Sequence, residues 1–460
     1  MKYTNITYDS RKVQADGIFV AISGEKYDGI DFVPQAIKNG AKLIVAEKEI
    51  KVPSGVGFKK VSSARKALAE LSCEFYNNPS KKLKLVGITG TNGKTTTCYL
   101  IQSILEKAGY KVGLIGTINS LLTTPESSDL QRELAEMVGK GYTHCVMEVS
   151  SHGLAQGRVY GIHFSVAIFT NLTHDHLDFH KDMDSYRDAK LRLFNGLSND
   201  AVAIINVDDP SSKYFMEVVP GEVITYGVGQ AKHELRDTKH NEFDTKVSDV
   251  RIREDEMTLM VNSFKIRTPL IGMPNVYNII AAYQTALVFN VPQPMIKKGI
   301  EALKSVPGRV EQVDCGQPFK VVVDFAHSPD ALQKLIETFR PLTEGKIILV
   351  FGCPGDRDKD KRPVMGKIAA ELADVVIVTT DDPHSENPKQ IIQEITGKLA
   401  TGKRVTGVVD RKTAIEKALE MAKKGDAVLI AGRGHEKFQD FAGKKVALDD
   451  VEVVRKFLAS

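Results

Sequence analysis

No apolar stretch of the 460-residue chain approaches the roughly 20 residues that a membrane-spanning helix needs, and the N-terminal MKYTNITYDSRKV has no apolar signal core. The expectation is a soluble, cytoplasmic protein without membrane insertion. Cysteine is scarce. Cys73, Cys98, Cys145, Cys315 and Cys353 fall in no CxxC or other metal-ligand spacing, and their odd number argues against a disulfide framework. They read as small buried hydrophobes. Neither sign of charge has much excess, 62 Lys plus Arg against 58 Asp plus Glu, so no global field points to nucleic acid or an anionic membrane surface. Internal repeats and low-complexity tracts are absent as well.

The chain does have globular composition, 42% apolar and 26% charged, which rules out disorder as the main state. At about 150 residues per domain its length predicts three domains. Residues 1–81 read as a small mixed domain, with strands at GIFVAI and KLIVAE around a helix at FVPQAIKNGA, and NNPSKK as a linker. From 82 to 308 the runs LKLVGIT, KVGLIG, HCVMEV, SVAIFT and AVAIINV alternate with helical stretches, the order of a mostly parallel sheet flanked by helices. The pattern restarts after SVPGRVEQV, so 309–460 reads as a third, α/β domain with strands at KVVVDFA, KIILVFG, DVVIVTT and AVLIAG. Ser328 and Pro329 supply the cap and first residue of its first helix. Glu148, Asp324, Asp381 and Asp382 each close a strand, and ligands of open parallel sheets sit beyond such carboxyl ends; turn formation is the competing reading.

The strongest local signal is GITGTNGKTTT, residues 87–97, between an apolar strand and a helix whose apolar face runs through Cys98, Ile101, Ile104, Leu105 and Ala108. Free backbone N–H groups and the helix dipole make that junction an anion site. Gly90, Thr91, Asn92, Gly93 and Thr96 form the cradle, Lys94 reaches the β- and γ-phosphates, and the Thr95 hydroxyl holds Mg²⁺. Ile88 stands where the standard loop has its first glycine, and an ordinary turn with an exposed lysine is the alternative. THDHLDFH offers His174, His176 and His180, a zinc set if the segment is helical. Lys190 in YRDAKLRLF reads, taken alone, as a solvated helix lysine, and Asn278 as a cap at a helix start.

GTNGKTT in this setting resembles the Mur ligase superfamily. DSRKVQADGIFVAISG, EVSSHGL with Arg158, TNLTHDHLDFH, YRDAKLRLF, GMPNVYNIIAA, PGRVEQV, DFAHSPDAL, FGCPGDRDKDKRPVM and AGRGHEKFQ are similar to its branch that adds the third peptide residue to UDP-N-acetylmuramoyl-L-alanyl-D-glutamate. The resemblance implies a three-domain α/β fold with a central P-loop ATPase-like, mostly parallel sheet and a C-terminal Rossmann-like domain. It implies an ATP-dependent amide ligase with Mg²⁺, in which Glu148 and His176 approach a second Mg²⁺ and Lys190 is carbamylated to an anion bridging toward it. It places His180 at the surface and gives His174 no role.

By the same resemblance Asn278 reads adenine, while Arg309 and Asp324 contact phosphate and ribose, with His327 nearby. Ser10 and Arg11 hold the uridine diphosphate end; Thr123, Thr124, Ser150 and Arg158 hold the sugar and its dipeptide. Ile30 replaces a family histidine, so no uridine contact is expected from it. Arg357 grips the carboxylate of the incoming diamino acid, and Gly432 and Glu436 its distal end. The motif Asp-Asn-Pro-Arg of diaminopimelate enzymes here reads Asp381-Asp382-Pro383-His384, which removes a bidentate arginine fork and adds a negative charge. That predicts a preference for lysine or ornithine over meso-diaminopimelate. Pro354 replaces a glycine before Gly355. The partners implied are the UDP-sugar dipeptide, ATP and the diamino acid, with no nucleic acid, for a monomer. Folylpolyglutamate synthesis is the rival enzyme reading, and a non-catalytic nucleotide-sugar sensor the rival outside enzymes.

Overall fold

Alternate residues of each central strand enter opposite cores, which is why these strands read as unbroken apolar runs. The computed structural model describes residues 3–24, 27–120, 122–228, 245, 247–397 and 404–459. Val86, Ile88, Val146, Ile168 and Ile204 belong to one buried cluster, and Leu85, Met147, Ala167, Phe169 and Ile205 to another. The sheet orders Glu222–Tyr226, Val202–Asn206, Val166–Phe169, Lys84–Thr89, His144–Glu148 and Val112–Ile115, all parallel. Since Lys84–Thr89 comes first in the chain and later strands lie on both sides of it, a crevice opens beyond its carboxyl end. The helix Lys94–Lys107 leaves from there, buries Cys98, Ile101, Ile104 and Leu105, and packs on the helices Met273–Val288 and Gln293–Ala302.

A second parallel sheet faces the first. It orders Glu311–Gln312, Lys320–Asp324, Ala427–Ala431, Ile347–Phe351, Val375–Thr379 and Arg404–Val408, with only the first pair antiparallel. The helix Pro329–Phe339 starts as read: the Ser328 hydroxyl accepts the Ala331 N–H at 3.4 Å and proline opens the first turn. A hairpin of Phe438–Phe441 and Lys444–Ala447 follows the last central strand of this sheet.

At the N-terminus Ile6–Thr7, Gly17–Val20, Ala41–Ala46 and Gly57–Lys60 form a parallel four-stranded sheet. Its outer strands escape a hydrophobicity reading because one has two residues and the other is largely exposed. Helix Val33–Lys38 begins after a 3₁₀ turn, Gly29–Phe32, that Asp28 caps. The expected linker is not loose: Pro79–Lys82 is a 3₁₀ turn whose buried Ser80 hydroxyl accepts the His163 N–H at 3.2 Å. All five cysteines are free and four are buried; Cys315 departs from expectation by lying exposed in a polar turn. No helix among the described residues is long and apolar enough to cross a membrane.

One buried ion pair braces the C-terminal sheet. Arg411 is 0% and Asp450 1% exposed, bonded in a fork at 2.9 and 2.7 Å, and Arg411 Nη2 also donates to the carbonyl of Ala431 at 2.9 Å. Arg411→Ala leaves a buried carboxylate uncompensated and is expected to destabilise this unit by about 3–5 kcal/mol, whereas replacing both partners with apolar residues costs far less. Urea denaturation of the single and double variants measures the difference.

Candidate active site between two parallel sheets

A cavity of about 1240 Å³ opens where the two sheets turn their carboxyl ends toward each other. Gly90 and Gly93 begin it. Gly90 has φ +148°, and a Cβ there would stand 1.9 Å from Thr170 Oγ1; Gly93 has φ +88°, and its Cβ would stand 2.5 Å from Asn278 Oδ1. Neither site admits a side chain. Ile88, at the position of the missing glycine, is a core strand residue at 0% exposure, so the loop proper starts at Gly90. The Asn92 N–H donates to Asn171 Oδ1 at 2.9 Å, Thr91 Oγ1 lies 3.2 Å from Tyr186 Oη, and Thr96 lines the cavity.

Lys94 Nζ donates to the carbonyls of Gly90 and Thr91, both at 2.8 Å. Its position deep in the crevice lowers its pKa, with Glu148 opposing and Arg309 reinforcing. Lys190 overturns the surface-lysine reading. It is 1% exposed, donates to Gly90 O at 2.9 Å and sits 4.3 Å from the Tyr186 ring centre. Burial and the neighbouring Lys94 charge hold it well below an ordinary lysine. The signal was present in the sequence: Tyr186, Ala189, Leu193 and Phe194 bury the same face of the helix Met183–Asn195.

Glu148 ends its strand at 2% exposure, accepting the Thr117 N–H at 2.9 Å and the Thr117 hydroxyl at 3.1 Å. It makes no ion pair among the described residues, so a buried carboxylate here suits a divalent cation. Burial pushes His176 down to about 2, leaving a neutral imidazole with a free lone pair. Thr95, Glu148 and His176 are therefore hard or borderline donors that fit Mg²⁺ beside a phosphate loop.

The zinc alternative fails. His176 has φ +57° and precedes a helix of only Leu177–His180, and His174 turns away to Asp358. The metal-like trio among the described residues is Asp381, Asp382 and Glu436, without a histidine. His180 is not at the surface: it is 7% exposed and packs against His152 and Tyr186.

Asn278 lies inside the helix Met273–Val288, not at its start, and takes the Thr97 hydroxyl at 3.3 Å. Arg309 spans the two units, donating to Thr95 Oγ1 at 3.1 Å with its guanidinium 4.3 Å from the Phe325 ring centre. Asp324 accepts the N–H groups of Val310 at 2.6 Å and Ala326 at 2.7 Å, so it pins the segment that carries Arg309. Thr123, Ser150 and Arg158 line the cavity. Thr124 does not: at 0% exposure it donates to Glu148 O at 3.0 Å and braces Ser150. Ser10 and Arg11 also lie outside the cavity, Ser10 bonded to Gln35 at 3.0 Å and Arg11 to Asp9 at 2.8 Å.

Arg357, Asp382, His384, Gly432 and Glu436 share the same lining. Arg433, fully buried, was missed by the sequence reading; it engages Asp382 and lies 3.4 Å from Glu436 and 3.8 Å from Asp381. Asp382 is thereby neutralised, contrary to the extra charge expected of it. Burial and Asp381 raise the Glu436 carboxyl to about 8. His384 faces Asp440 at 3.7 Å. Asp175, another missed residue, is buried and receives His327 at 3.4 Å, His176 at 3.6 Å and Lys361 at 3.8 Å. Burial alone would raise its carboxyl, but the hydrogen bond from His327 and the Lys361 ammonium hold it well below the usual range. These two were legible only as polar letters inside known motifs, because their partners come from distant segments.

A phosphate loop that faces a second α/β unit across one cavity defines a nucleotide-dependent enzyme of the ligase kind. Comparison carries this further. Residues 2–76 match the Mur ligase family catalytic domain, 88–286 the Mur ligase middle domain and 308–434 the Mur ligase glutamate ligase domain. A relative from Bacillus licheniformis named UDP-N-acetylmuramoyl-L-alanyl-D-glutamate--2,6-diaminopimelate ligase is 43% identical, covering 98% of this chain and 94% of its own. One from Clostridium acetobutylicum, named the same ligase 1, is 43% identical over 99% of this chain and 94% of its own. A solved structure of a UDP-N-acetylmuramoyl-L-alanyl-D-glutamate--2,6-diaminopimelate ligase is 31% identical at TM-score 0.67, covering 99% of this chain and 95% of that one. The MurF ligase of Thermotoga maritima in complex with ADP, 21% identical at TM-score 0.69 over 99% of this chain and 96% of that one, shares the fold. The chain belongs to the Mur ligase family, whose members are ATP-dependent, ADP-forming amide ligases.

Lys94→Ala removes the charge that would follow the transferred phosphoryl group, and is expected to lower kcat by about 10²–10³-fold while the circular dichroism spectrum stays unchanged. Near-normal ADP release from the folded variant would overturn the phosphate-loop assignment.

Proposed function

We propose that this protein joins the α-amine of a diamino acid to the D-glutamate side-chain carboxylate of UDP-N-acetylmuramoyl-L-alanyl-D-glutamate, in the cytoplasm and as a monomer. The observation that carries the reading is one cavity whose lining includes the phosphate loop, Thr123, Ser150 and Arg158, and also Arg357, Gly432 and Glu436. The carboxylate oxygen attacks the γ-phosphorus of ATP, ADP leaves, and the amine then attacks the acyl carbon, losing a proton as phosphate departs. Lys94 and Arg309 stabilise the phosphoryl charge, Asn278 orients adenine, and Asp324 holds Arg309 in place. Thr95, Glu148 and His176 would hold Mg²⁺, which would supply neutralisation of the phosphate charge. The bonds between the two units exclude water from the acyl phosphate.

Lys190 is read as carbamylated. A lysine kept neutral by burial is the nucleophile that carbon dioxide requires, and the product carries an anionic oxygen donor into a site rich in positive charge. Lys190→Ala should lower turnover by at least about a hundredfold, and short carboxylic acids should restore part of it. Wild-type rates without rescue would return Lys190 to a structural role.

The diamino acid is read as diaminopimelate, the substrate named for relatives at 43% identity. The lysine preference expected from the motif rested on the lost arginine fork and on the added Asp382 charge; Arg433 pairs with that charge, and other basic groups stand where the fork is missing. Asp381 Oδ2, buried without a hydrogen-bond partner, suits the distal ammonium, with Glu436 beside it as an uncharged acceptor, while His384 and Lys445 bring basic groups to the same end for the distal carboxylate. A charge-assisted carboxylate contact is worth about 1.5–3 kcal/mol, so kcat/KM for diaminopimelate should exceed that for lysine by about tenfold or more. Comparing the two on one UDP-sugar dipeptide decides the substrate; a lysine preference would overturn it while leaving the ligase reading intact.

A further inference from the structure

The proposed reaction leaves two histidines of THDHLDFH unused; His180 is packed against His152 and Tyr186, and His174 bonds across the molecule. The ring N–H of His174 donates from Nε2 to Asp358 Oδ2 at 3.0 Å, across the boundary between the central and C-terminal units. Asp358 is 6% exposed, and its other oxygen accepts the Asp360 N–H at 3.0 Å within its own loop. His174 thus takes the one carboxylate oxygen that is turned out of the loop.

The residue before Asp358 is Arg357, which lines the cavity and makes no hydrogen bond among the described residues. Its place is set by its flanks. On one flank the Gly355 N–H donates to Asp382 O at 2.8 Å and the Asp356 N–H to Glu386 Oε1 at 2.6 Å, ties that stay inside the C-terminal unit. On the other flank stands the His174 bond, the tie to the central unit. His174 is itself held close to the phosphate loop, because the preceding Thr173 N–H donates to Thr91 Oγ1 at 3.0 Å. A short path of contacts therefore runs from the loop that receives phosphate, through Thr173, His174 and Asp358, to Arg357.

We infer that His174 is a positioning residue that, through Asp358, sets Arg357 in register with the phosphate loop, so that the incoming amino acid meets the acyl phosphate in line. The inference rests on the reading of Arg357 as the grip on the amino acid's carboxylate. Lys361 and His327 join the same two units at Asp175, but that carboxylate also neighbours His176, so their loss would disturb the phosphate end. The bond from the His174 ring goes to the loop of Arg357, so its loss is expected to bear chiefly on the amino-acid end.

The test is steady-state kinetics of the full chain with ATP, MgCl₂, UDP-N-acetylmuramoyl-L-alanyl-D-glutamate and diaminopimelate, on His174→Ala, His174→Arg, Asp358→Ala, the His174→Ala and Asp358→Ala pair, and Arg357→Ala. Loss of this bond should raise KM for the diamino acid about tenfold, with KM for ATP and the UDP-sugar dipeptide within about twofold. His174→Arg, which keeps a donor, should recover most of the loss, and the double variant should be no worse than the weaker single one, as for two ends of one contact. Multiplying losses in the double variant, or equal rises in KM for all three substrates, would overturn the inference. An unchanged KM in Arg357→Ala would overturn the reading of Arg357 and the inference with it; a raised KM there beside an unchanged His174→Ala would overturn the inference alone.

Discussion

Two lysines share the carbonyl of Gly90, Lys94 at 2.8 Å and Lys190 at 2.9 Å, and most of the site depends on that crowding. Burial pushes both toward the neutral form, with Arg309 adding to the effect at Lys94 and the Lys94 charge adding to it at Lys190. Gly90 itself adopts a backbone geometry that favours glycine, and a Cβ there would collide with Thr170. In the proposed reading anions relieve the excess of positive charge: the phosphates of a nucleotide at Lys94 and a negative donor at Lys190.

The same electrostatics organise the seam between the two sheets. Arg309 reaches Thr95, Asn92 reaches Asp330 at 3.0 Å, and Asp175 gathers His327 and Lys361, all across the cavity. Each contact is modest by itself, and none is an apolar interlock. Apolar packing also joins the two units, since Ile271 and Leu335 belong to one buried cluster, but the polar bonds around a charged substrate are the part that ligand binding strengthens, as expected of units that close over a reactive intermediate. At the amino-acid end, Arg433 plays the complementary part by holding Asp382 and approaching Asp381 and Glu436, so that a pocket rich in carboxylates is not simply a negative surface.

The parallel sheets, the phosphate loop and the capped helix at Ser328 were all legible in the sequence, since each rests on residues close together in the chain. Strands buried on both faces need continuous apolar runs, the loop needs glycines at 90 and 93, and a cap needs a hydroxyl followed by proline. The positions of Glu148, Asp324 and Asp381 at strand ends followed from the same local logic and place all three beside the cavity. Resemblance added names to residues but not their surroundings.

Tertiary structure alone decided how those residues are charged and partnered. Lys190 looks solvated in the chain and is buried because its helix lays it against Gly90, a hundred residues away. Asp382 looks like an added negative charge and is neutralised by Arg433, and Thr124 looks like a ligand contact and is a brace. His180 looks exposed and packs on His152. In each case the sequence states which groups are present, while burial and the partner that neutralises or orients each group depend on segments that only the folded chain brings together.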